Sequence, residues 1–146
     1  GDVYKRQEVE DISLGMGSDS RIGGRFLRAG PAYGGSCFPK DTKGLVSAAE
    51  KYKINLSVVK SVIKSNQERV NLLTKRVHKI LGSNLKNKKI SFLGVTFKPN
   101  TDDMRDSSSL KMIPYLCKKG AKVRYYDPSG EKMSLKKSKT VITEII

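Results

Sequence analysis

The chain has 146 residues, 37% of them hydrophobic and 29% charged, which is typical of one globular domain or of parts of two. Its 29 Lys and Arg residues exceed its 14 Asp and Glu residues and give a formal charge of +15, which attracts anions such as phosphates or nucleic acid. No apolar run reaches the roughly 18 to 20 residues of a membrane span and no signal sequence opens the chain, so we expect a cytoplasmic protein without a membrane partner.

The distribution of basic residues and cysteines narrows the classes of function further. Lysines are scattered from Lys43 to Lys139 without interleaved aromatic residues, so we expect a solvated basic surface rather than specific nucleic-acid binding. A basic nucleic-acid-binding module is the non-enzymatic alternative. The two cysteines, Cys37 and Cys117, lie far apart and lack metal-ligand spacing, which predicts two reduced thiols and no metal site.

Apolar residues at helical spacing predict three helices in the first part of the chain. A short helix covers residues 8–16, and the next follows Asp41, with Asp41 or Thr42 as its cap. The third is a long amphipathic helix whose apolar stripe covers residues 58–81. A stripe of this length needs a partner surface, which is either the core or a second copy of the chain.

A strand-helix-strand pattern follows the polar linker at residues 83–89. Residues 90–95 form a continuous apolar run of the length of a parallel strand buried on both faces, and a helix at 110–116 and a strand at 123–126 come next. Right-handed crossover rules place such a unit in a doubly wound parallel sheet, with a third strand starting near Thr140. The sequence therefore predicts an α/β protein in which helices precede part of a parallel sheet.

Residues 30–41 form the first stretch with candidate chemistry. Its glycines permit close approach of the main chain to a ligand, and Cys37 precedes a predicted helix whose N-terminal dipole stabilises a thiolate. The pattern fits a nucleophile on a loop, and it fits an inert cysteine in a Gly/Pro turn about equally well.

The second candidate stretch is the long loop at residues 96–109. It follows the carboxyl end of a strand, where ligands bind in open α/β sheets. Lys98 and Arg105 are its candidate phosphate or sugar ligands, and the serines at 107–109 are candidate caps of the next helix. A solvated surface loop explains the same residues equally well. Because the loop lacks G-x-G-x-x-G, the strand-helix-strand unit alone is weak evidence for a dinucleotide-binding site.

The motifs GGSCFPKD around Cys37 and GVTFKPNTDDMRDSSS from Gly94 stand in one chain with Arg21-Ile22-Gly23 and Phe26-Leu27. In this order and spacing they resemble the UDP-glucose 6-dehydrogenase family of nucleotide-sugar dehydrogenases, over residues 8 to 146. The resemblance implies an NAD-dependent enzyme that oxidises UDP-glucose to UDP-glucuronate in two steps. GDP-mannose or UDP-N-acetylmannosamine 6-dehydrogenase is the alternative within the same class.

The resemblance also implies a domain organisation. Residues 1–85 would form a helical central domain that mediates dimerisation, and residues 86–146 would form the first part of a UDP-binding, Rossmann-like domain. An NAD-binding domain would precede this chain, so we expect the isolated chain to be inactive. A homo-oligomer is expected because the family places an arginine, here Arg21, in the substrate site of the adjacent subunit.

Individual roles follow from the same resemblance. Cys37 would attack the aldehyde formed by the first oxidation, and its thiohemiacetal would be oxidised to a thioester and hydrolysed. Asp41 would assist proton transfer or position the hydrolytic water. Arg105 and Cys37 would contact the NAD cofactor. The residues matched to substrate contacts are Arg21, Arg28, Tyr33, Gly34, Phe97 and Lys98.

Overall fold

The structure is a computed structural model that describes residues 8–28, 30–129, 133–136 and 142–144. The chain forms two compact units, Gly1–Gly30 and Pro31–Ile146. The second unit contains helices followed by a small parallel sheet, which confirms the predicted α/β class.

The first unit contains helix α1, Val9–Gly17, which confirms the short helix predicted there. The chain then passes close to the end of this helix, because a Cβ atom at position 17 would lie 3.0 Å from the Cα atom of Gly24. The Ser13 hydroxyl donates a hydrogen bond to the Leu27 carbonyl at 3.1 Å and ties the following segment to the helix.

Helix α2, Phe38–Lys51, begins earlier than the sequence predicted. Pro39 lies in the first turn of α2. Backbone N–H groups there have no acceptor within the helix, so proline costs no hydrogen bond. Cys37 is the N-cap residue. The prediction that Asp41 or Thr42 caps the helix is wrong. Asp41 lies inside the first turn, where its charge complements the helix dipole, and the Thr42 hydroxyl donates to a carbonyl one turn back at 2.8 Å.

Helix α3, Ser57–Leu81, confirms the predicted long helix and ends at Gly82, whose φ of 90° suits glycine. Several apolar side chains of α3 remain exposed, at 75% for Val58, 56% for Leu72 and 73% for Ile80. The apolar stripe is therefore only partly covered within the unit. None of the helices in the described part of the chain is long and apolar enough to cross a membrane.

A three-stranded parallel sheet follows. Its strands are β1 (Lys89–Leu93), β2 (Lys122–Tyr126) and β3 (Ile142–Glu144), and β2 lies between the other two. The predicted strand-helix-strand unit is confirmed, and a third strand is present, although its predicted first residues, 140 and 141, lie outside the described residues. The short helix α5 was not predicted, because four residues are too few to show a helical period. The elements are β1 Lys89–Leu93, α4 Ser109–Lys118, β2 Lys122–Tyr126, α5 Met133–Lys136 and β3 Ile142–Glu144.

The hydrophobic core lies between the sheet and α4, with further side chains from the segments before β1 and after β2. Val77 and Leu81, at the end of α3, pack against it. Burying each such aliphatic side chain stabilises the fold by roughly 1.5–3 kcal/mol. The side chains with 2% exposure or less include Leu85, Val95, Ile113, Leu116, Val123 and Leu135.

One face of the sheet is less covered than the sequence predicted. Strand β2 alternates between exposed and buried residues, and Leu93 at the end of β1 is 82% exposed. The prediction that β1 is buried on both faces is therefore wrong for the described residues. A continuous apolar run does not show whether a strand is covered on one face or on two.

Candidate active site

The two predicted stretches meet at a pair of glycines. We call residues 31–37 the thiol loop and residues 94–108 the strand-end loop. The Gly35 N–H donates a hydrogen bond to the Arg105 carbonyl at 2.7 Å. Gly35 has a φ of 84°, and a Cβ atom there would lie 2.8 Å from the Phe97 ring. This approach requires glycine because any side chain would collide with the ring.

Gly34 makes an equally close approach to the strand-end loop. A Cβ atom at Gly34 would lie 2.6 Å from the Asp106 carbonyl oxygen and 3.0 Å from the Phe97 Cβ atom. Gly34 and Gly35 are both buried. The structure therefore brings Gly34 together with Phe97, two of the residues matched to substrate contacts.

Helix α3 holds the other side of the thiol loop. The Tyr33 N–H donates to Asn66 Oδ1 at 2.9 Å, and Asn66 Nδ2 donates to the Tyr33 carbonyl at 3.0 Å. Arg69 Nε donates to the Pro31 carbonyl at 3.1 Å. The Tyr33 ring also contacts the Phe38 ring edge to face, at a centroid distance of 4.9 Å.

Sequence reasoning missed Asn66 and Arg69. The available signal was the apolar stripe of α3, in which Asn66 lies at helical spacing between Ile63 and Val70, where an apolar residue is expected. A polar side chain at such a position has to find a hydrogen-bond partner, and here the partner is the backbone of Tyr33.

The Cys37 thiol is exposed at the start of α2. Its Sγ atom lies 3.6 Å from the Ser36 hydroxyl oxygen. The structure therefore confirms that Cys37 lies at a helix N-terminus and places it on the surface, where a substrate can reach it.

Asp41 lies one helical turn from Cys37. Its backbone N–H donates to the Cys37 carbonyl at 2.8 Å. The Asp41 carboxylate is exposed and its Oδ1 atom lies 3.5 Å from Lys40 Nζ. An exposed ion pair of this kind contributes little to stability, so the carboxylate can rearrange when a ligand binds.

The Arg105 guanidinium group pairs with an acidic residue of the strand-end loop. Arg105 Nε and Nη2 bind the Asp103 carboxylate at 3.0 Å and 2.9 Å. The pKa of Arg105 is raised, first by its hydrogen bond to Asp103 and then by the charge of the same carboxylate. The Arg105 side chain is 68% exposed, so an anionic ligand can reach it.

The side chains of Phe97 and Lys98 differ in exposure. The Phe97 ring is partly buried against Gly35, whereas the Lys98 side chain is exposed, with its Nζ atom 5.3 Å from the Phe97 ring centroid. The Lys98 carbonyl accepts a hydrogen bond from the Thr96 hydroxyl at 2.9 Å. The Lys98 backbone is therefore held while its cation faces solvent, as a ligand for phosphate requires.

Buried polar groups anchor both ends of the strand-end loop. Asp127, only 4% exposed, accepts a hydrogen bond from the Val95 N–H at 2.9 Å. The hydroxyls of Ser107 and Ser109 both donate to the Val95 carbonyl, at 2.6 Å and 2.5 Å. Of the three serines predicted to cap the next helix, Ser108 is the N-cap residue, although its side chain makes no cap hydrogen bond, and the Ser107 and Ser109 hydroxyls bind Val95 instead.

Arg21 and Arg28 belong to the first unit. Arg21 binds the Asp19 carboxylate through Nε at 3.0 Å and Nη2 at 2.6 Å, and the hydrogen bond to Asp19 raises the pKa of its guanidinium. Both arginine side chains are exposed. Each is accessible to an anionic ligand, as the resemblance requires.

A small cavity of about 50 Å³ lies beneath the thiol loop, between α2, α3 and the start of α4. It has room for only a few water molecules, and a nucleotide sugar does not fit in it. The lining residues include Tyr33, Pro39, Lys43, Asn66, Ser108 and Lys111.

A small parallel sheet with helices, an exposed thiol at a helix start and exposed cations on the strand-end loop define an α/β protein with a candidate cysteine nucleophile. Residues 6–68 match the model of the central domain of the UDP-glucose/GDP-mannose dehydrogenase family, and residues 91–145 match that of its UDP-binding domain. The chain belongs to this family, which confirms the resemblance.

Known proteins agree with this assignment. The chain is 45% identical over 122 residues to a UDP-glucose 6-dehydrogenase of Rhizobium meliloti, covering 84% of this chain and 28% of the relative. A UDP-glucose dehydrogenase structure from Pyrobaculum islandicum matches with a TM-score of 0.78 and 31% identity, over 93% of this chain and 31% of that one. A GDP-mannose dehydrogenase structure from Pseudomonas aeruginosa matches with a TM-score of 0.65 and 28% identity, over 82% and 26% of the two chains.

Proposed function

We propose that this chain is part of an NAD-dependent UDP-glucose 6-dehydrogenase that uses Cys37 as its nucleophile. The main support for this proposal is the exposed Cys37 thiol at the start of α2. Its loop contacts the strand-end loop, which contains Lys98 and Arg105. The sequence similarity to UDP-glucose 6-dehydrogenases supports this substrate. Because the chain spans about 28% of the length of its Rhizobium relative, the rest of the catalytic machinery is expected elsewhere in the enzyme.

The proposed reaction removes two hydrides from C6 of the glucose unit. Loss of a hydride and a proton converts the C6 alcohol to an aldehyde, and Cys37 Sγ adds to that carbon to give a thiohemiacetal. Loss of the second hydride from this carbon and of the proton from its hydroxyl gives a thioester, which water cleaves to the carboxylate while the Cys37 thiol is regenerated. NAD, when bound, supplies the acceptor for each hydride.

The side chains around Cys37 suit these steps. A thiolate at a helix N-terminus is a good nucleophile and a good leaving group when the thioester is hydrolysed. We assign Asp41 to proton transfer or to orienting the hydrolytic water, because its backbone is one turn away and its carboxylate is exposed. Arg105 fits a contact with the cofactor, since its planar guanidinium is exposed to an anionic ligand.

We assign substrate binding to the exposed cations and to the thiol loop. Lys98 would bind a phosphate of the UDP group, and the family's UDP-binding domain model, which matches residues 91–145, supports this role. The residues assigned to substrate are Arg21, Arg28, Tyr33, Gly34, Phe97 and Lys98.

The assembly is part of the proposal. We propose a central domain at residues 1–85 and a UDP-binding domain from residue 86, supported by the two separate family matches. We also propose a homo-oligomer that covers exposed apolar residues of α3 such as Val58. A cytoplasmic location suits an enzyme that depends on a reduced thiol.

The test is a cysteine substitution in the complete polypeptide that contains this chain. Cys37→Ser should abolish formation of UDP-glucuronate from UDP-glucose and leave at most the first hydride transfer to NAD, whereas Cys117→Ser should retain both oxidations, because Cys117 is partly buried and its pKa is raised by burial. Near-normal turnover by Cys37→Ser would refute the proposed chemistry. Faster NADH formation from GDP-mannose or UDP-N-acetylmannosamine would keep the chemistry and change the substrate.

A further inference from the structure

We propose that Phe97 is a positioning residue for Cys37, which sets the place of the thiol through the backbone of Gly35. The proposal rests on the function proposed above. It gives the Phe97 ring a task distinct from touching the substrate.

The contact between the ring and the thiol loop is direct. A Cβ atom at Gly35 would lie 2.8 Å from both Cε2 and Cζ of Phe97, so the ring packs on the bare Cα atom of Gly35. The ring is held in turn by its own backbone, because the Phe97 N–H donates to the Asp103 carbonyl at 3.2 Å. The part of the ring that packs on Gly35 is not available to a ligand.

Cys37 depends on this contact for its position. Its Sγ atom lies 3.6 Å from the Ser36 hydroxyl, a distance at the weak end for a hydrogen bond to sulfur. The place of the thiol is therefore set by the backbone that leads into α2. That backbone is fixed at Gly35 by the Arg105 carbonyl on one side and by the Phe97 ring on another.

A displaced thiol should slow the chemistry more than it weakens substrate binding. A misplacement of about 1 Å can cost on the order of a hundredfold in rate, because attack on the aldehyde needs close alignment. Removing the ring also removes its contact with Lys98 Nζ, which lies 5.3 Å from the ring centroid, but the Lys98 cation stays exposed to a UDP-sugar. We therefore expect a lower kcat with a smaller change in KM.

The first experiment compares Phe97→Leu and Phe97→Ala in the complete enzyme. Both should lower kcat, Phe97→Ala by about tenfold or more, and Phe97→Leu should retain more activity because it keeps apolar bulk on Gly35. The KM for UDP-glucose should change less than kcat in both. The ratio of NADH formed to UDP-glucose consumed should fall below that of the wild type, because an aldehyde that escapes attack has lost only one hydride.

The second experiment tests the contact by double substitution. Gly35→Ala introduces a methyl group that meets the Phe97 ring, whereas Gly34→Ala meets the Asp106 backbone and the Phe97 Cβ atom, which Phe97→Ala retains. Phe97→Ala should therefore reduce the loss of kcat caused by Gly35→Ala and leave the loss caused by Gly34→Ala unchanged. Gly34→Ala is the matched control.

The outcomes separate the inference from the proposed function. If the Phe97 variants raise KM and leave kcat unchanged, Phe97 is only a substrate contact and the inference fails. Equal coupling of Phe97→Ala to both glycine variants also overturns it. If Cys37→Ser retains turnover, the proposed function fails on its own, whatever the Phe97 variants do.

Discussion

The backbone N–H of Gly35 donates a 2.7 Å hydrogen bond to the carbonyl oxygen of Arg105. This bond joins two motifs that are far apart in sequence, one carrying Cys37 and the other carrying Lys98 and Arg105. The Phe97 ring closes the same junction from a second direction. The proposed nucleophile and the expected anion ligands are therefore carried by two loops that are joined at this point.

The Gly34 junction predicts a clear difference between two glycine substitutions. Gly34→Ala should destabilise the protein by about 1–3 kcal/mol, because its Cβ atom would lie 2.6 Å from the Asp106 carbonyl oxygen. Gly44→Ala, in the interior of α2 with nothing within 4 Å, should stabilise it by about 0.5–1 kcal/mol. Urea unfolding measures both changes, and equal effects at the two positions would contradict the packing described at Gly34.

The hydrogen bonds between the Asn66 side chain and the Tyr33 backbone predict that the Asn66 amide stabilises the protein. Asn66→Asp should cost about 1–3 kcal/mol, because a carboxylate oxygen would replace the Nδ2 donor opposite the Tyr33 carbonyl. The KM for UDP-glucose should rise as well, because Asn66 holds the backbone of Tyr33, a residue of the thiol loop that we assign to substrate binding. Asn71→Asp, on the exposed face of α3, is the control, and a similar loss of stability there would argue against a specific bond at Asn66.

The two hydroxyls on the Val95 carbonyl predict non-additive substitutions. Ser107→Ala or Ser109→Ala alone should cost about 1 kcal/mol or less, because the other hydroxyl still donates to Val95. The double variant should cost more than the sum of the two, by about 0.5 kcal/mol or more. The free energies of unfolding of the four proteins form the test, and additive values would show that the hydroxyls act independently.

The bond between Arg105 and Asp103 predicts a pH dependence. It lowers the pKa of Asp103 below its ordinary value of 3.8, so its contribution to stability is present above that pH and is lost as the pH falls through the lowered pKa. The difference in urea midpoint between wild type and Asp103→Asn should therefore be largest near neutral pH and shrink in acid. Asp102→Asn, at an exposed neighbouring position, should differ less from wild type in urea midpoint. A difference between wild type and Asp103→Asn that persists in acid would contradict the prediction.

The exposed apolar residues of α2 and α3 predict that charge introduced there weakens self-association. Val58→Lys combined with Val62→Lys should lower the average molar mass in sedimentation equilibrium, because two cations would have to be buried at the interface. Lys64→Gln, on the same helix, should leave the mass unchanged. Unchanged mass in the double variant would show that these residues lie outside the interface. The exposed apolar residues of this region are Leu45, Tyr52, Ile54, Val58 and Val62.

Much of the secondary structure was predictable because it follows local periods. The apolar stripe of α3 and the glycine after it gave a helix whose observed bounds, Ser57–Leu81, agree with the pattern. The alternation of strand, helix, glycine and strand likewise predicted a parallel unit. Boundaries were less predictable: Pro39 lets α2 begin before Asp41, and a short helix such as Met133–Lys136 shows no period.

By itself, the sequence determined the class of fold, the order of the two motifs and the position of Cys37 at a helix start, since each depends on residues close together along the chain. Only the tertiary structure decided which groups meet the thiol loop: the Phe97 ring on Gly35, the Asn66 amide on Tyr33 and the Arg105 carbonyl. The same holds for the serines that bind Val95 instead of capping α4. Such contacts join distant segments, and they depend on how whole helices and strands pack, which no local spacing encodes.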